Sequence, residues 1–264
     1  MNLDLNYDTV EPDEKKFTKW FYDQLNKGLL SLAFQPVTRL GFGSTYYHEA
    51  LLRHNIGLPK DFFKALEALH CMIDLDISVV SAVVRLLDSN PGLSLGCNIS
   101  AQSVLMDSRW SGLLTYLTET PDTAQRLVIE VTESAVCPSQ TAAVDFVARL
   151  RSTGCKIAVD DFGSGHSTLS FIRAVEPDVI KIDKGYLHRA RESRCGQETL
   201  VHLFNLCGTL ANHIVVEGVE TEADLVRLER FGAKLAQGYY LGMPCFSIPE
   251  ATERCRIPPP LRKS

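Results

Sequence analysis

Two adjacent carboxylates, Asp160 and Asp161, follow a short apolar segment and precede a glycine-containing loop. One interpretation is that they cap the helix expected after this loop, while the glycines form a tight turn. The other is that they hold divalent cations, which prefer hard oxygen ligands. Lys181 favours the second interpretation, because it lies between Ile180 and Ile182 in another apolar segment. A charge in a buried strand is rarely tolerated without a partner, so the sequence predicts a polar site built on strand ends.

The elements that carry these residues alternate between strands and helices along most of the chain. About eight strands are predicted, and eight βα units of roughly 30 residues make an α/β fold of the TIM-type (β/α)8 barrel class. The GFG turn at residues 41–43 is too short for a parallel crossover, so the first strand is predicted to be antiparallel. We expect one domain over residues 14–250, with a flexible tail at residues 1–13 and an extended tail at residues 251–264.

Helices are predicted from apolar residues that recur with helical spacing. One further helix is expected to start at Ser100, directly after a predicted strand. The other predicted helices cover residues 14–27, 61–69, 73–87, 141–152, 167–175, 197–210 and 222–231.

Polar side chains stand at the ends of seven predicted strands. In such a barrel the carboxyl ends of the strands converge on one mouth, where these enzymes place their chemistry. Each residue alone is best explained as a helix cap or a stray polar residue, but the whole set is hard to explain as capping. Glu, Asn and Asp provide oxygen ligands suited to Mg²⁺ or Mn²⁺. Paired aspartates could bridge two metals, which is the usual device for cleaving a phosphodiester. The residues are Glu49, Asn98, Glu130, Asp160 with Asp161, Lys181, Glu217 and Gln237.

Composition argues against several other classes of protein. The net charge of −5 and the absence of a Lys/Arg-rich run argue against DNA binding, although bound metal ions would still allow a small anionic ligand. No run of about 18 apolar residues predicts a membrane span, and the acidic N-terminus lacks the pattern of a secretory signal peptide. The eight cysteines show neither C-x-x-C nor zinc spacing, so we expect reduced thiols and a cytoplasmic location.

The tripeptide Glu-Ala-Leu at residues 49–51, followed by Leu52 and Arg53, resembles the EAL signature of cyclic di-GMP phosphodiesterases. The tripeptide alone carries almost no information, but the ordered set of motifs over residues 25–247 is highly specific. Departures from the family pattern are Ser164, His166, a short segment between residues 53 and 61, and Lys184-Gly185 after KID; none of them removes a metal ligand. The matching motifs are NIS at residues 98–100, EVTE at 130–133, DDFGSG at 160–165, KID at 181–183, EGVE at 217–220 and QGYYLGMP at 237–244.

The resemblance implies a role for each matching position, and a TIM barrel with an antiparallel first strand. The implied ligands are Glu49, Asn98, Glu130 and Asp160 for one metal, and Asp161 for a second metal that Asp160 bridges. The other implied roles are orientation or deprotonation of the attacking water for Lys181 and Glu217, support of the metal–water network for Gln237, dinucleotide contacts for Gln35 and Arg53, and loop stabilisation for Glu133 and Glu220.

The leading hypothesis from this resemblance is metal-dependent hydrolysis of cyclic di-GMP to linear pGpG. Mg²⁺ or Mn²⁺ is expected to support it and Ca²⁺ to inhibit it, because Ca²⁺ binds at longer distances with looser geometry. One alternative is a catalytically silent EAL-type module that binds cyclic di-GMP or a protein partner; retention of every ligand and of Lys181 disfavours it. Another is an unrelated TIM-barrel lyase or isomerase with one Mg²⁺, which the adjacent Asp160 and Asp161 disfavour. We expect a homodimer, with no DNA and no membrane partner.

Overall fold

The eight strands of the computed structural model close into a barrel, in their order along the chain. The structure describes residues 14–54, 57–132, 139–164, 169–248 and 257. The first strand is antiparallel to both of its neighbours and all other neighbouring pairs are parallel, so the predicted barrel with an antiparallel first strand is confirmed. The strands are β1 (Leu30–Arg39), β2 (Thr45–His54), β3 (Leu95–Ser100), β4 (Leu127–Thr132), β5 (Lys156–Phe162), β6 (Val179–Ile182), β7 (His213–Val216) and β8 (Leu235–Gln237).

The turn between β1 and β2 explains the reversed first strand. Gly41 and Gly43 have φ of 80° and 65°, which residues with a Cβ atom rarely adopt. The N–H of Gly43 donates to the carbonyl oxygen of Arg39 at 3.0 Å and closes the turn. A connection this short can reverse the chain but cannot cross over to a parallel strand. Gln35 of β1 therefore pairs with Glu49 of β2.

Helices pack their apolar faces on the strands, as Leu75, Val79 and Val83 do at helical spacing in the third helix. No helix in the described ranges is long and apolar enough to cross a membrane. The helices are α1 (Glu14–Asn26), α2 (Phe62–Ala68), α3 (Met72–Ser89), α4 (Ser111–Glu119), α5 (Pro121–Ala124), α6 (Gln140–Ser152), α7 (Leu169–Val175), α8 (Lys184–Glu192), α9 (Arg194–Cys207) and α10 (Glu222–Arg230).

The helix predicted to start at Ser100 is wrong. After β3 the chain forms two 3₁₀ turns, Ala101–Ser103 and Ser108–Trp110, before α4 begins. The hydroxyl of Ser100 accepts a hydrogen bond from the N–H of Gln102 at 3.2 Å. Short polar side chains satisfy nearby backbone groups locally in this way and so compete with a continuous helix.

The stretch between β6 and β7 contains two helices, although only one was predicted, over residues 197–210. The missed helix, α8, begins where Asp183 accepts a hydrogen bond from the N–H of Gly185 at 2.9 Å. It buries only Leu187 and Ala190, so its apolar pattern is too sparse to be recognised.

Most of the two predicted tails lies outside the described residues. Ile257 is the described exception: it is buried, and its N–H donates to the carbonyl oxygen of Leu30 at 3.1 Å. This residue of the predicted C-terminal tail thus packs against the start of β1.

Two successive layers of side chains fill the barrel interior. The first, which we call the apolar layer, lies towards the amino ends of the parallel strands. Residues i and i+2 of a strand face the same side, so the residues two positions nearer the carboxyl mouth form a second layer, the polar layer. The apolar and polar members, strand by strand, are Val37 and Gln35, Tyr47 and Glu49, Val128 and Glu130, Ala158 and Asp160, Val179 and Lys181, Val215 and Glu217, and Leu235 and Gln237.

Candidate active site

Lys181 lies at the centre of the polar layer and is fully buried. Burial alone would lower the pKa of Lys181, but the surrounding carboxylates outweigh burial and hold this pKa well above its ordinary value. The side chain therefore stays cationic. Its Nζ atom lies 3.0 Å from Glu49 Oε2, 2.7 Å from Glu130 Oε2, 2.8 Å from Asp160 Oδ1 and 3.0 Å from Glu217 Oε1.

The site holds more carboxylate charge than Lys181 can neutralise. Burial raises the pKa of Glu130 well above its ordinary value, and the neighbouring carboxylates raise it further. Burial likewise raises the pKa of Glu217 to about 8 and that of Asp160 to about 6, although Lys181 opposes both shifts. Cations relieve this desolvation and repulsion when they bind, so the cluster favours cation binding.

Two groups of three carboxylates have oxygen atoms close enough to share an ion, all within 4.8 Å of one another. Asp160 belongs to both groups, which agrees with its predicted bridging position. Glu217, which the sequence analysis assigned only to the attacking water, is part of the second group. The first group is Glu49, Glu130 and Asp160, and the second is Asp160, Asp161 and Glu217.

Asn98 and Glu130 offer buried oxygen atoms to such an ion. Asn98 Nδ2 donates to Glu49 Oε1 at 2.6 Å. Asn98 Oδ1 and Glu130 Oε1 are buried and have no hydrogen-bond partner within the described residues. Buried acceptors normally have a partner, and a hard divalent cation can provide one for an oxygen-only set. The residues present therefore fit a divalent metal ion that prefers oxygen ligands.

A β-bulge allows adjacent Asp160 and Asp161 to reach the same site. In a regular strand their side chains would face opposite sides. The pairing of β5 with β6 shifts register between Val159 and Phe162. Asp161 has φ of 54°, in the left-handed region that Asp adopts more readily than most residues. Such a bulge re-aims one side chain of a strand, which is how the second carboxylate joins the first.

Gln237 and Gln35 connect the ligand Glu49 to β1 and to the segment after β8. Gln237 Nε2 donates to Glu49 Oε2 at 2.7 Å and to Gln35 Oε1 at 3.4 Å. Gln35 Nε2 donates to the carbonyl oxygen of Gly242 at 3.1 Å. This chain of hydrogen bonds fixes the orientation of the Glu49 carboxylate.

A cavity of about 730 Å³ opens beside the first carboxylate group. Its size is that of a small-molecule binding site. Arg53, predicted to contact a substrate phosphate, lines this cavity together with Asp160 and Asp161. The apolar part of the lining includes Leu58, Pro59, Phe62, Phe63 and Met72.

The segment after Glu217 is held by a residue that the sequence analysis missed, Arg191 of α8. Its guanidinium donates to both carboxylate oxygens of Asp224 at 2.9 Å, to Glu220 Oε2 at 2.8 Å and to the carbonyl oxygen of Gly218 at 2.8 Å. We call these four residues the Arg191 clamp. Glu220, predicted to stabilise a loop, takes part in it.

The clamp was only partly readable from the sequence. Thr221 and Asp224 form a capping box at the start of α10, a pattern of recognisable spacing. Arg191 belongs to no motif, because its partners come from another element. Glu133 and His166 lie outside the described residues, so the loop-stabilising role of Glu133 stays a prediction.

Fold and site together define an α/β barrel with an oxygen-ligand centre at its carboxyl mouth. The sequence model of the family described as "EAL domain" matches residues 18–244, most of the chain. The protein therefore belongs to the EAL domain family.

Two curated relatives match most of this chain. The bifunctional diguanylate cyclase/cyclic di-GMP phosphodiesterase MucR of Pseudomonas aeruginosa is 29% identical over 234 residues, 83% of this chain and 34% of the relative. The cyclic di-GMP phosphodiesterase TpdA of Vibrio parahaemolyticus is 28% identical over 209 residues, 79% of this chain and 36% of the relative. The chain thus spans about a third of the length of these relatives.

A solved structure shares both the fold and part of the sequence. The phosphodiesterase PaMucR in complex with c-di-GMP superimposes with a TM-score of 0.74 at 26% identity, covering 87% of this chain and 97% of that one. The likeness thus extends over nearly the whole barrel.

Proposed function

We propose that this EAL domain hydrolyses cyclic di-GMP to linear pGpG with two Mg²⁺ or Mn²⁺ ions. The observation that carries the proposal is the junction of two carboxylate groups at Asp160, beside the buried cation Lys181. The names of the two curated relatives and the c-di-GMP complex of the similar structure support the choice of substrate.

Each residue of the candidate active site has a proposed role in the reaction. The two cations would polarise the phosphate as Lewis acids and lower the pKa of the attacking water. Lys181 orients that water and stabilises the negative charge that develops on the attacking oxygen. The water oxygen forms a bond to phosphorus as one P–O3′ bond breaks, and a proton released from the water passes to the departing O3′ oxygen, so the cyclic dinucleotide opens to linear pGpG with a 3′-hydroxyl and a 5′-phosphate. Glu49, Asn98, Glu130 and Asp160 would hold one ion, and Asp160, Asp161 and Glu217 would hold the other. Arg53 and Gln35 would bind the dinucleotide.

Chromatographic separation of nucleotides after incubation of the purified chain with cyclic di-GMP and Mn²⁺ tests this proposal. We expect pGpG from the unmodified protein and none from Asp160→Asn, which keeps the side-chain shape but removes the charge shared by both groups. Asp23→Asn is the matched control, because Asp23 lies on α1 in an exposed ion pair with Lys27 at 3.6 Å. Its turnover should equal that of the unmodified protein.

Two other outcomes would overturn the proposal. Tight binding of cyclic di-GMP without hydrolysis would make the domain a catalytically silent module. If the chain neither binds nor hydrolyses cyclic di-GMP, this substrate is excluded. The homodimer and the cytoplasmic location stay predictions, and light scattering of the purified chain measures the first.

A further inference from the structure

The end of the barrel opposite the candidate active site is closed by Tyr46. This side chain packs against the apolar layer, and its ring centroid lies 5.6 Å from that of Tyr47. The guanidinium carbon of Arg39 lies 4.6 Å from the Tyr46 ring centroid, Lys156 Nζ lies 5.3 Å from it, and the His213 ring lies 5.0 Å from it. Lys156 and His213 belong to β5 and β7, which are not neighbours of β2. The Tyr46 ring therefore lies across the end of the barrel opposite the carboxyl mouth.

Lys234 belongs to the same mouth. It directly precedes β8 and is exposed. Its carbonyl oxygen accepts a hydrogen bond from the N–H of Leu40 at 2.9 Å, which fixes its backbone beside the β1–β2 turn. The group formed by Arg39, Tyr46, Lys156, His213 and Lys234 is called the basic mouth below.

Several charged side chains act on the His213 ring in the basic mouth. Partial burial lowers the pKa of His213, and Lys156 lowers it further. Arg39 and Lys234 add to this effect against the opposing charge of Asp178. The Asp178 carboxylate is also engaged, because its Oδ2 accepts a hydrogen bond from the N–H of Ile157 at 2.8 Å. At His213 the three cations Lys156, Arg39 and Lys234 thus act against the carboxylate of Asp178.

Cations gathered from separate strands repel one another. The face of the Tyr46 ring attracts Arg39 and Lys156, and a bound anion would relieve the remaining repulsion. Arg and Lys side chains together form the usual environment of a phosphate group. The hydroxyl of Tyr46 is buried and has no hydrogen-bond partner in the described part of the chain, so a further donor lies within the cluster. Donors from several directions suit a tetrahedral anion better than a planar carboxylate. We propose that the basic mouth binds a phosphate-bearing anion, at a site separate from the candidate active site.

Nuclear magnetic resonance of the histidine side chains tests this proposal, with inorganic phosphate as the probe. The titration is run in EDTA, at low ionic strength and without cyclic di-GMP, so its result is independent of the proposed hydrolysis. We expect a saturable shift of the His213 signal, assigned with His213→Asn, and a rise in the pKa of His213 as phosphate binds. The affinity should fall as salt is added, because exposed charges are screened.

Paired lysine variants separate a specific site from general attraction. The double variant Lys156→Gln/Lys234→Gln should weaken phosphate binding about tenfold, since it removes two of the three fixed cations. The control Lys27→Gln/Lys64→Gln makes the same change in net charge at exposed lysines of other elements and should leave affinity unchanged. Tyr46→Phe keeps the ring, removes the hydroxyl and should weaken binding less than the lysine pair does. Thermal unfolding of each variant verifies the fold.

The source of the phosphate is distinguished by sedimentation with phosphatidylcholine vesicles that contain or lack phosphatidic acid. Binding of free phosphate without sedimentation would assign a soluble ligand. Sedimentation that requires phosphatidic acid and is lost in Lys156→Gln/Lys234→Gln would assign a lipid headgroup. The proposal is overturned if neither probe gives saturable binding, or if the control pair loses as much affinity as the lysines of the mouth.

Discussion

Replacement of Arg191 by Met should weaken both the fold and the activity. The change removes the four hydrogen bonds of the Arg191 clamp and leaves the carboxylate of Asp224, which is fully buried, with fewer partners. Asp224 keeps hydrogen bonds from the backbone N–H groups of Glu220 and Thr221. The loss is therefore smaller than for a buried charge left wholly unpaired.

The expected loss of stability follows from these contacts. Hydrogen bonds to a charged group contribute about 1.5–3 kcal/mol, and the half-exposed pair with Glu220 adds at most about 1 kcal/mol. We expect the free energy of unfolding to fall by about 2–3 kcal/mol, which corresponds to a decrease in Tm of about 5–10 °C for a chain of this size.

The loss should depend on pH. Burial alone would raise the pKa of Asp224, but hydrogen bonds from Arg191, Glu220 and Thr221 outweigh burial and hold this pKa below its ordinary value. A depressed carboxyl pKa stabilises the fold above the unfolded-state value of about 4, and this contribution is lost as the pH falls through the folded-state value. The stability difference between Arg191→Met and the unmodified protein should thus be full at pH 7 and shrink below about pH 4.

Activity separates positioning from simple destabilisation. Glu217 directly precedes the clamped segment and lies 3.0 Å from Lys181, so a displaced segment should lower kcat by about 10- to 100-fold with little change in KM. Arg227→Met is the matched control, because Arg227 donates to the same Asp224 at 3.3 Å. It should lose stability but keep kcat. Equal losses of kcat in the two variants, or unchanged stability of Arg191→Met, would refute the reasoning.

Three further predictions concern the polar layer and its metals. Lys181→Met should lose about 3–5 kcal/mol of unfolding free energy in EDTA, because buried carboxylates remain unpaired. Mn²⁺ should restore much of that stability, while kcat stays about 10²–10⁴-fold low; near-normal turnover of the folded variant would exclude a catalytic Lys181. Gly96→Ala should cost about 1–3 kcal/mol in urea unfolding, since the added Cβ would clash with Glu130 Oε1 and lie 2.6 Å from the Tyr47 ring; an unchanged midpoint would contradict this packing. EDTA should abolish turnover, and raised Ca²⁺ should inhibit turnover with Mg²⁺ because Ca²⁺ prefers longer and more flexible coordination. Full activity in EDTA would refute metal dependence, and undiminished turnover in raised Ca²⁺ would refute the inhibition.

The polar layer could be predicted from the sequence because it depends on a local period. Glu130 and Lys181 each follow an inward apolar residue by two positions, and a period of two is enough to place them in the interior. The reversed first strand was predictable for a similar reason, since the length of the turn decides it.

Features that depend on distant partners could not be predicted in this way. The hydrogen-bond partners of Arg191 lie at residues 218–224, and no spacing of residues near Arg191 in the sequence predicts them. The bulge at Asp161 depends on the pairing of β5 with β6. The position of Tyr46 across the basic mouth depends on its contacts with residues of β5 and β7. The wrong prediction of a helix after Ser100 has a different cause. The local sequence pattern suggested a helix, but the Ser100 hydroxyl accepts a hydrogen bond from the backbone nearby and so competes with a continuous helix.

The two-layer interior also restricts how such a chain can change length during evolution. Deletion or insertion of one residue within a strand would exchange the two faces of that strand. The carboxylate of the polar layer would then face outwards, and an apolar side chain would face the candidate metal site. Such changes are tolerated only between strands and helices, where no pairing register is fixed. The shortened segment between Arg53 and Asp61 falls in such a place, between the end of β2 and the start of α2. The residues of the candidate active site thus lie on strands of fixed length, while changes in length are confined to the connections.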